Sequence, residues 1–323
     1  MALMNFAQAV HSALEREMER DDRIVLLGDG VAGGGASGAT GGLGARFGAA
    51  RVVDAPAGAA SLAGAALGMA LQGARPIAEL ALADSADAAF DQLARELATV
   101  RWRTGGDFTA PVVVRAPCGG GIGGGPGASA SPEALFAHSP GLAVVVPSNP
   151  YDAKGLLAAA ARGDDPVLFF EPSRLWRGPR AEVPDEAYTV PLGSAKVLRP
   201  GRDVTLLVWG AACGAAARAA ATAAEHGRDV ELVDLRSLVP LDLGAIEASV
   251  AKTGRVVIVH EAPRTCGFGA ELAALVAEHW IDRLWAPILR VTGPDAPAPS
   301  VQQEEWLPDA RRILAAIEKV VTF

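Results

Sequence analysis

The chain has 323 residues, half of them hydrophobic, and 29 Lys and Arg against 37 Asp and Glu give a net charge of −8. That length holds two domains of ordinary size, and the acidic balance argues against nucleic acid or an anionic membrane surface as a partner. Cys118, Cys213 and Cys266 lie too far apart for a zinc spacing or a disulfide framework, so a reduced cytoplasm is the expected setting.

In chain order, Asn5 caps a predicted helix running to about Arg20. Phe6, Val10, Leu14 and Met18 fall four apart and give it one apolar face, and its mixed charges do not read as a signal peptide. Ile24 to Leu27 is a buried strand ending at Gly28-Asp29-Gly30, followed by a Gly-rich loop, 33–44. Arg51-Val52-Val53 is a short strand, and a turn over Ala55-Pro56-Ala57-Gly58 feeds an Ala-Gly-Leu-Met helix to Gly73. Small side chains at nearly every position of that helix predict a deeply buried element at a domain centre, packed closely on another backbone or on a second subunit. No acid occurs from Ala57 to Gly73.

Arg75 to Leu82 then reads as a strand, Ser85 to Arg103 as a helix, Pro111 to Arg115 as a strand and Cys118 to Gly127 as a loop. Ala143 to Val146 is a strand, Tyr151 to Arg162 a helix, and Val167 to Phe170 a strand. Alternating strands and helices predict a parallel sheet covered on both faces. From Glu171 to Gly193, Pro172, Pro179, Pro184 and Pro191 stud a polar stretch without a period, which reads as the domain boundary. A second α/β unit follows, with strands at 204–209, 230–234, 256–260 and 288–291 and helices near 213–226, 243–252, 270–280 and 308–320. The Ala-rich run 211–224 contains Arg218 and is too short to cross a bilayer. The predicted domains are 1–185 and 194–323.

Several stretches invite a chemical reading. Cys118 to Gly127, CGGGIGGGPG, has the look of a phosphate cradle, but no Lys-Ser or Lys-Thr follows, so it reads as a backbone-lined loop. Gly267-Phe268-Gly269 lies between a strand and a helix, yet Leu272 stands where a dinucleotide fingerprint has its third glycine. His260-Glu261 closes a strand, where a hydrogen-bonding role in the scaffold is favoured over catalysis. Asp84 can cap the following helix, Asp91 with Gln92 can face a polar interface, and Gly163-Asp164-Asp165 can form a plain turn or offer oxygen to a cation. The five histidines show no zinc spacing.

Taken together, LLGDGV (26–31), RVVDAP (51–56), ARPIAEL (74–80), DQL (91–93), HSPGLAVVVPSNPYDAKGL (138–156), VDLRSLVPLD (233–242), GRVVIVHEAPRTCGFGAEL (254–272) and RVTGPDAPAP (290–299) carry a resemblance. The chain resembles the β subunit of the thiamine diphosphate-dependent first component of 2-oxoacid dehydrogenase complexes, pyruvate and branched-chain type. The resemblance implies a transketolase-like pyrimidine-binding α/β domain, then a transketolase C-terminal-type domain, both with mostly parallel sheets. It also implies an assembly of two α and two β chains, in which the α subunit binds the diphosphate through magnesium. A lipoyl acyltransferase core is a further implied partner.

Carried over residue by residue, the resemblance exposes departures. The glutamate that bonds the aminopyrimidine nitrogen in this family matches Ala59, and the aromatic residue that stacks on the ring matches Ser85. The histidine that serves acyl transfer matches Ala128. Asp29 stands at the family's acidic path between active sites, and Asp91 is retained. The monovalent-cation loop matches Ala160, Ala161, Gly163 and Asp165, and Gly163 offers no side chain. Two readings follow. One is a β-like subunit that is impaired or non-catalytic while keeping fold and assembly surfaces. The other is an active, modified subunit in which Asp84 or Asp29 replaces the missing acid.

Overall fold

The computed structural model describes residues 1–55, 58–82 and 84–323. Pro56 and Ala57 of the predicted turn lie outside the described residues. The first helix, Phe6–Arg20, starts as the sequence dictates. Asn5 accepts from the Gln8 amide while the Gln8 side chain accepts from the Asn5 amide, a reciprocal capping box. Phe6, Val10, Leu14 and Met18 are buried, and Arg162 of helix Pro150–Arg162 donates to the buried Glu17.

Among the described residues, fourteen strands form three sheets. A small antiparallel ribbon joins β1 (Ala2–Met4) to β8 (Ala181–Val183). The first large sheet takes β2 (Ile24–Gly28), β3 (Val52–Asp54), β4 (Arg75–Glu79), β5 (Val113–Cys118), β6 (Ala143–Val145), β7 (Val167–Pro172) and β12 (Ser237–Val239) in the order β12-β6-β7-β5-β4-β2-β3. All its pairs are parallel except β12 with β6. The second sheet takes β9 (Lys196–Arg199), β10 (Val204–Val208), β11 (Val230–Asp234), β13 (Val256–Pro263) and β14 (Leu289–Gly293) in the order β14-β13-β10-β11-β9, with only β9 antiparallel. Both sheets are mostly parallel, as expected, and their central strands are buried and largely apolar because helices cover both faces.

Four expectations need correction. The Pro-rich stretch is not wholly irregular, because β8 lies inside it; three residues are too few to show a period. The strand β12 follows that stretch in sequence yet completes the first sheet. The predicted helix Ser85 to Arg103 is three pieces: Ser85–Ala88, a π-helical stretch Asp91–Leu97, and Ala98–Arg103. The wide turns pack on helix Ala59–Leu71, where Gly64 leaves room for the Gln92 amide. Helix Ala59–Leu71 itself is not enclosed in the single chain. Leu62, Ala63, Ala66 and Ala70 are buried, whereas Ala60, Ser61, Ala65 and Gly68 are exposed. A helix apolar on every side shows no period from which to read its covered face. One apolar cluster crosses from sheet to sheet through Phe136, Phe170, Leu207, Trp209 and Phe268, so the two halves share a core.

Candidate functional site

Open parallel sheets place ligand sites outside the carboxyl ends of their strands. At that edge of the first sheet, β2 ends before Asp29, β3 leads to Ala59, β4 leads to Asp84 and Ser85, and β5 opens the Gly-rich loop. Beneath the edge lies a buried ion cluster. Arg115, 2% exposed, donates through Nη1 to Glu79 (2.6 Å) and through Nε to Glu171 (2.7 Å). Trp176 Nε1 donates to Glu171 at 3.0 Å, and Glu79 accepts from the Ala36 amide at 2.7 Å. Burial opposes the charge on Arg115, but Glu171 and Glu79 outweigh it and raise its pKa. The cluster thus fixes the loops leaving β2 and β7. Its only sequence signal is the charged residues Glu79, Arg115 and Glu171 within otherwise mostly apolar strands.

The candidate residues are spread over several elements. Ala59 is the first residue of its helix and partly exposed; its neighbour Gly58 supplies no capping side chain, and the first turn holds no acid. Asp29 is exposed. Ser85 opens helix Ser85–Ala88, but Asp84 does not cap it with its side chain. Asp84 faces the Gly-rich loop instead. Its amide donates to the Gly127 carbonyl at 3.1 Å, and a Cβ placed on Gly127 would stand 2.6 Å from Asp84 Oδ2. Asp84, Ser85 and Ala128 are therefore brought together. Burial, then Asp84, raises the pKa of nearby Asp87. Asp91 is elsewhere, exposed and paired with Arg95 at 3.5 Å.

The stretch matched to a cation loop has its oxygens engaged by arginines. Arg75 donates to the carbonyls of Ala161 (3.0 Å) and Gly163 and to Asp164 (3.1 Å), and Arg101 donates to Asp165 at 2.6 Å. Ala160 and Ala161 are buried, and the Ala160 carbonyl accepts from the Gly163 amide at 3.2 Å. Among the described residues, no group of three or more His, Cys, Asp or Glu side chains is arranged to hold a metal ion.

Three amides of the Gly-rich loop are engaged by side chains from far along the sequence. Gly120 donates to Glu261 (3.2 Å), and Gly121 and Gly123 both donate to Gln303 Oε1 (2.7 and 3.1 Å). Glu261 also pairs with Arg174. Its neighbour His260 is fully buried and stacks on Trp209 with ring centroids 5.1 Å apart. Among the described residues neither His260 ring nitrogen meets hydrogen-bond geometry, so the ring acts chiefly by packing rather than by the expected hydrogen bond. Burial lowers its pKa to about 4 and keeps it neutral. Gly267 and Gly269 are small because that ring lies against them: a Cβ would stand 2.8 and 2.6 Å from it. Their spacing thus reflects packing on His260. Trp209 Nε1 also donates to Glu133 at 3.1 Å, and burial pushes that carboxyl up to about 7. Sequence reasoning missed Glu133, Gln303 and the Arg115 cluster, since each acts through contacts far away in the chain. Cys118, Cys213 and Cys266 are free, and burial raises the first two thiols.

Known proteins match this architecture. The pyrimidine-binding domain of transketolase matches residues 3–179, and the transketolase C-terminal domain matches 193–313. The chain is 48% identical to the 2-oxoisovalerate dehydrogenase subunit beta of Pseudomonas aeruginosa, over 98% of this chain and 95% of that one. It is 42% identical to the 2-oxoisovalerate dehydrogenase subunit beta of Bacillus subtilis and 41% identical to the pyruvate dehydrogenase first-component subunit beta of the same organism, each match covering both chains in full. A solved split-gene transketolase, described as an inactive tetramer of β chains, superposes with a TM-score of 0.81 at 24% identity, covering 99% of each chain, and bears on the fold alone. With two transketolase-type domains in order and near-complete coverage of these relatives, the chain belongs to the β subunits of the thiamine diphosphate-dependent 2-oxoacid dehydrogenase first component.

Proposed function

We propose that this β subunit contributes scaffold and assembly surfaces to a first component but is catalytically impaired or non-catalytic. The observation that carries the reading is the acid-free start of helix Ala59–Leu71, on the strand-end edge where the family's activating glutamate is expected. Ala59 offers no partner to the aminopyrimidine nitrogen, Ser85 no ring to stack on it, and Ala128 no imidazole for acyl transfer. The residues present therefore do not fit the pyrimidine half of a thiamine diphosphate site. Magnesium and the diphosphate belong to an α subunit in this reading, and cofactor binding by this chain is weak. The proposed setting is the cytoplasm. No helix among the described residues is long and apolar enough to cross a membrane.

Assembly with an α subunit and a second β chain is part of the same proposal. Its support is the uncovered face of helix Ala59–Leu71 and two apolar cavities of about 950 and 890 Å³ that share Pro140 and Val239. Trp102, lining the first, is 89% exposed. Docking of a lipoyl acyltransferase core is a further element of the proposal.

The approach of Asp84 to Gly127 favours a second reading, an active modified subunit with Asp84 as the acid near residue 128. Calorimetric titration with thiamine diphosphate and magnesium, on the chain alone and with a matched α subunit, separates the two. Weak or absent binding and no 2-oxo acid consumption are expected. Robust turnover by the unmodified pair overturns the impaired reading, and its loss in Asp84→Asn then assigns the acid.

A further inference from the structure

The Gly-rich run is the one sequence motif left without a purpose. A ligand cradle would leave its amides free, yet Gly120, Gly121 and Gly123 all donate to side chains of the second domain. Gln303 is 5% exposed, and both ends of its amide are used. Oε1 takes the two glycine amides, while Nε2 donates to Ser129 Oγ (2.9 Å) and to the Pro299 carbonyl (2.6 Å). A single side chain thereby ties the middle of the loop, its far end and its own chain segment.

Gly119, Gly120 and Gly125 are explained by the approach of the same domain. A Cβ on Gly119 would stand 2.6 Å from Glu261 Oε2, one on Gly120 3.1 Å from Leu307, and one on Gly125 3.0 Å from Ser300 Oγ. Gly121 and Gly123 have φ of 95° and 74°, which aims both amides at one oxygen and suits glycine alone. We propose that residues 119–127 are an interdomain clasp, filled by Gln303 and Glu261 as an anion would fill a nest of amides, and that Gln303 is the positioning residue that sets the loop and hence residue 128. The inference goes beyond the proposed function and holds whether or not the subunit is catalytic.

Hydrogen exchange on the full chain tests it, with peptides covering 119–130 compared against β10 and helix Ala212–Glu225. Gln303→Ala is expected to speed exchange at Gly121 and Gly123 roughly tenfold, the effect of losing hydrogen bonds that hold a local segment, with the control peptides unchanged. Gln303→Glu keeps an acceptor and is expected to restore protection at Gly121 and Gly123, while losing the donated bonds to Ser129 and Pro299. Gln303→Leu fills similar space without an acceptor and should behave as Ala does. Unchanged exchange at 119–130 in both Ala and Leu variants, or equal acceleration in loop and controls in all three, overturns the clasp. Inorganic phosphate added to the unmodified chain should leave the loop unaffected; protection of 119–124 by phosphate would make it an anion cradle and also overturn the proposal.

Discussion

Ala59→Glu is the most informative perturbation of the proposed impairment. The residue opens a 13-residue helix whose first turn holds no acid and whose N-cap, Gly58, has no capping side chain. A carboxylate there meets the positive end of the helix and gains about 0.3–1 kcal/mol. Ala59 is partly exposed, so the new charge escapes full desolvation. The fold should therefore accept the change with a stability shift within about 1 kcal/mol. Against the cofactor, a hydrogen bond involving a charged group is worth roughly 1.5–3 kcal/mol. At 1.4 kcal/mol per tenfold, that is an affinity gain of about 12- to 140-fold. The assay is calorimetric titration of thiamine diphosphate and magnesium into the variant and the unmodified chain, each with the same α subunit, with thermal unfolding as the control for folding. Equal affinity in both, with the variant folded, refutes the assignment of position 59. Adding Ser85→Phe and Ala128→His should raise 2-oxo acid consumption further, and a triple variant no better than the single one would show that the missing groups do not act together.

Other predictions follow from the packing. Arg115→Met strands Glu79 and Glu171 without their cation and should cost about 3–5 kcal/mol in denaturant unfolding; adding Glu79→Gln and Glu171→Gln should recover most of it, and a single variant as stable as the parent refutes the cluster's role. Burial raises the folded pKa of Glu133 from 4.5 to about 7, so its contribution is fully present below pH 4.5 and is lost as pH rises through about 7. Glu133→Gln keeps an acceptor for Trp209 and should remove about 3 kcal/mol of that decline between pH 4.5 and 8, read as the difference between the two unfolding profiles; identical profiles count against it. Gly68 is exposed, with nothing within 4 Å of an added Cβ, so Gly68→Leu should leave the single chain stable yet lower its mass in solution if this face carries the β–β contact; unchanged mass removes the helix from the interface.

Where side chains repeat with a clear period, the sequence was a good guide to the fold. Phe6, Val10, Leu14 and Met18 placed the first helix, and the capping residue Asn5 set its start. The strand β11 has the bounds expected from the sequence, 230–234. Legibility failed where the deciding contact lies elsewhere in the chain. Nothing local marks 237–239 as an edge strand of the first sheet, because the partner is β6. Nothing in a uniformly small helix reveals which face is covered. The π-helical stretch 91–97 depends on packing against Gly64 from another element. At the candidate site, the resemblance supplied positions 59, 85 and 128, whereas the Gly-rich loop was legible only as irregular. Its function as a clasp required Gln303, about 180 residues away.

These failures bear on how an intact scaffold and the proposed loss of site chemistry coexist. Ala59, Ser85 and Ala128 are partly exposed, the first two at helix starts and the third at the end of helix Gly125–Ala128, and of the three only Ala59 packs, partly buried, against the shared core. The polar groups that hold the strand-end edge together are different ones: Arg115 between Glu79 and Glu171, Glu261 on Gly120, and Gln303 on Gly121 and Gly123. Removing a catalytic side chain at position 59 or 128 leaves no buried donor or acceptor orphaned, so it carries little of the penalty that a change at Arg115 or Gln303 carries. Chemistry and architecture therefore rest on separable residues here. The fold can persist, with its assembly surfaces, whether or not the reaction does, and the two readings of function must be decided by binding and turnover rather than by stability.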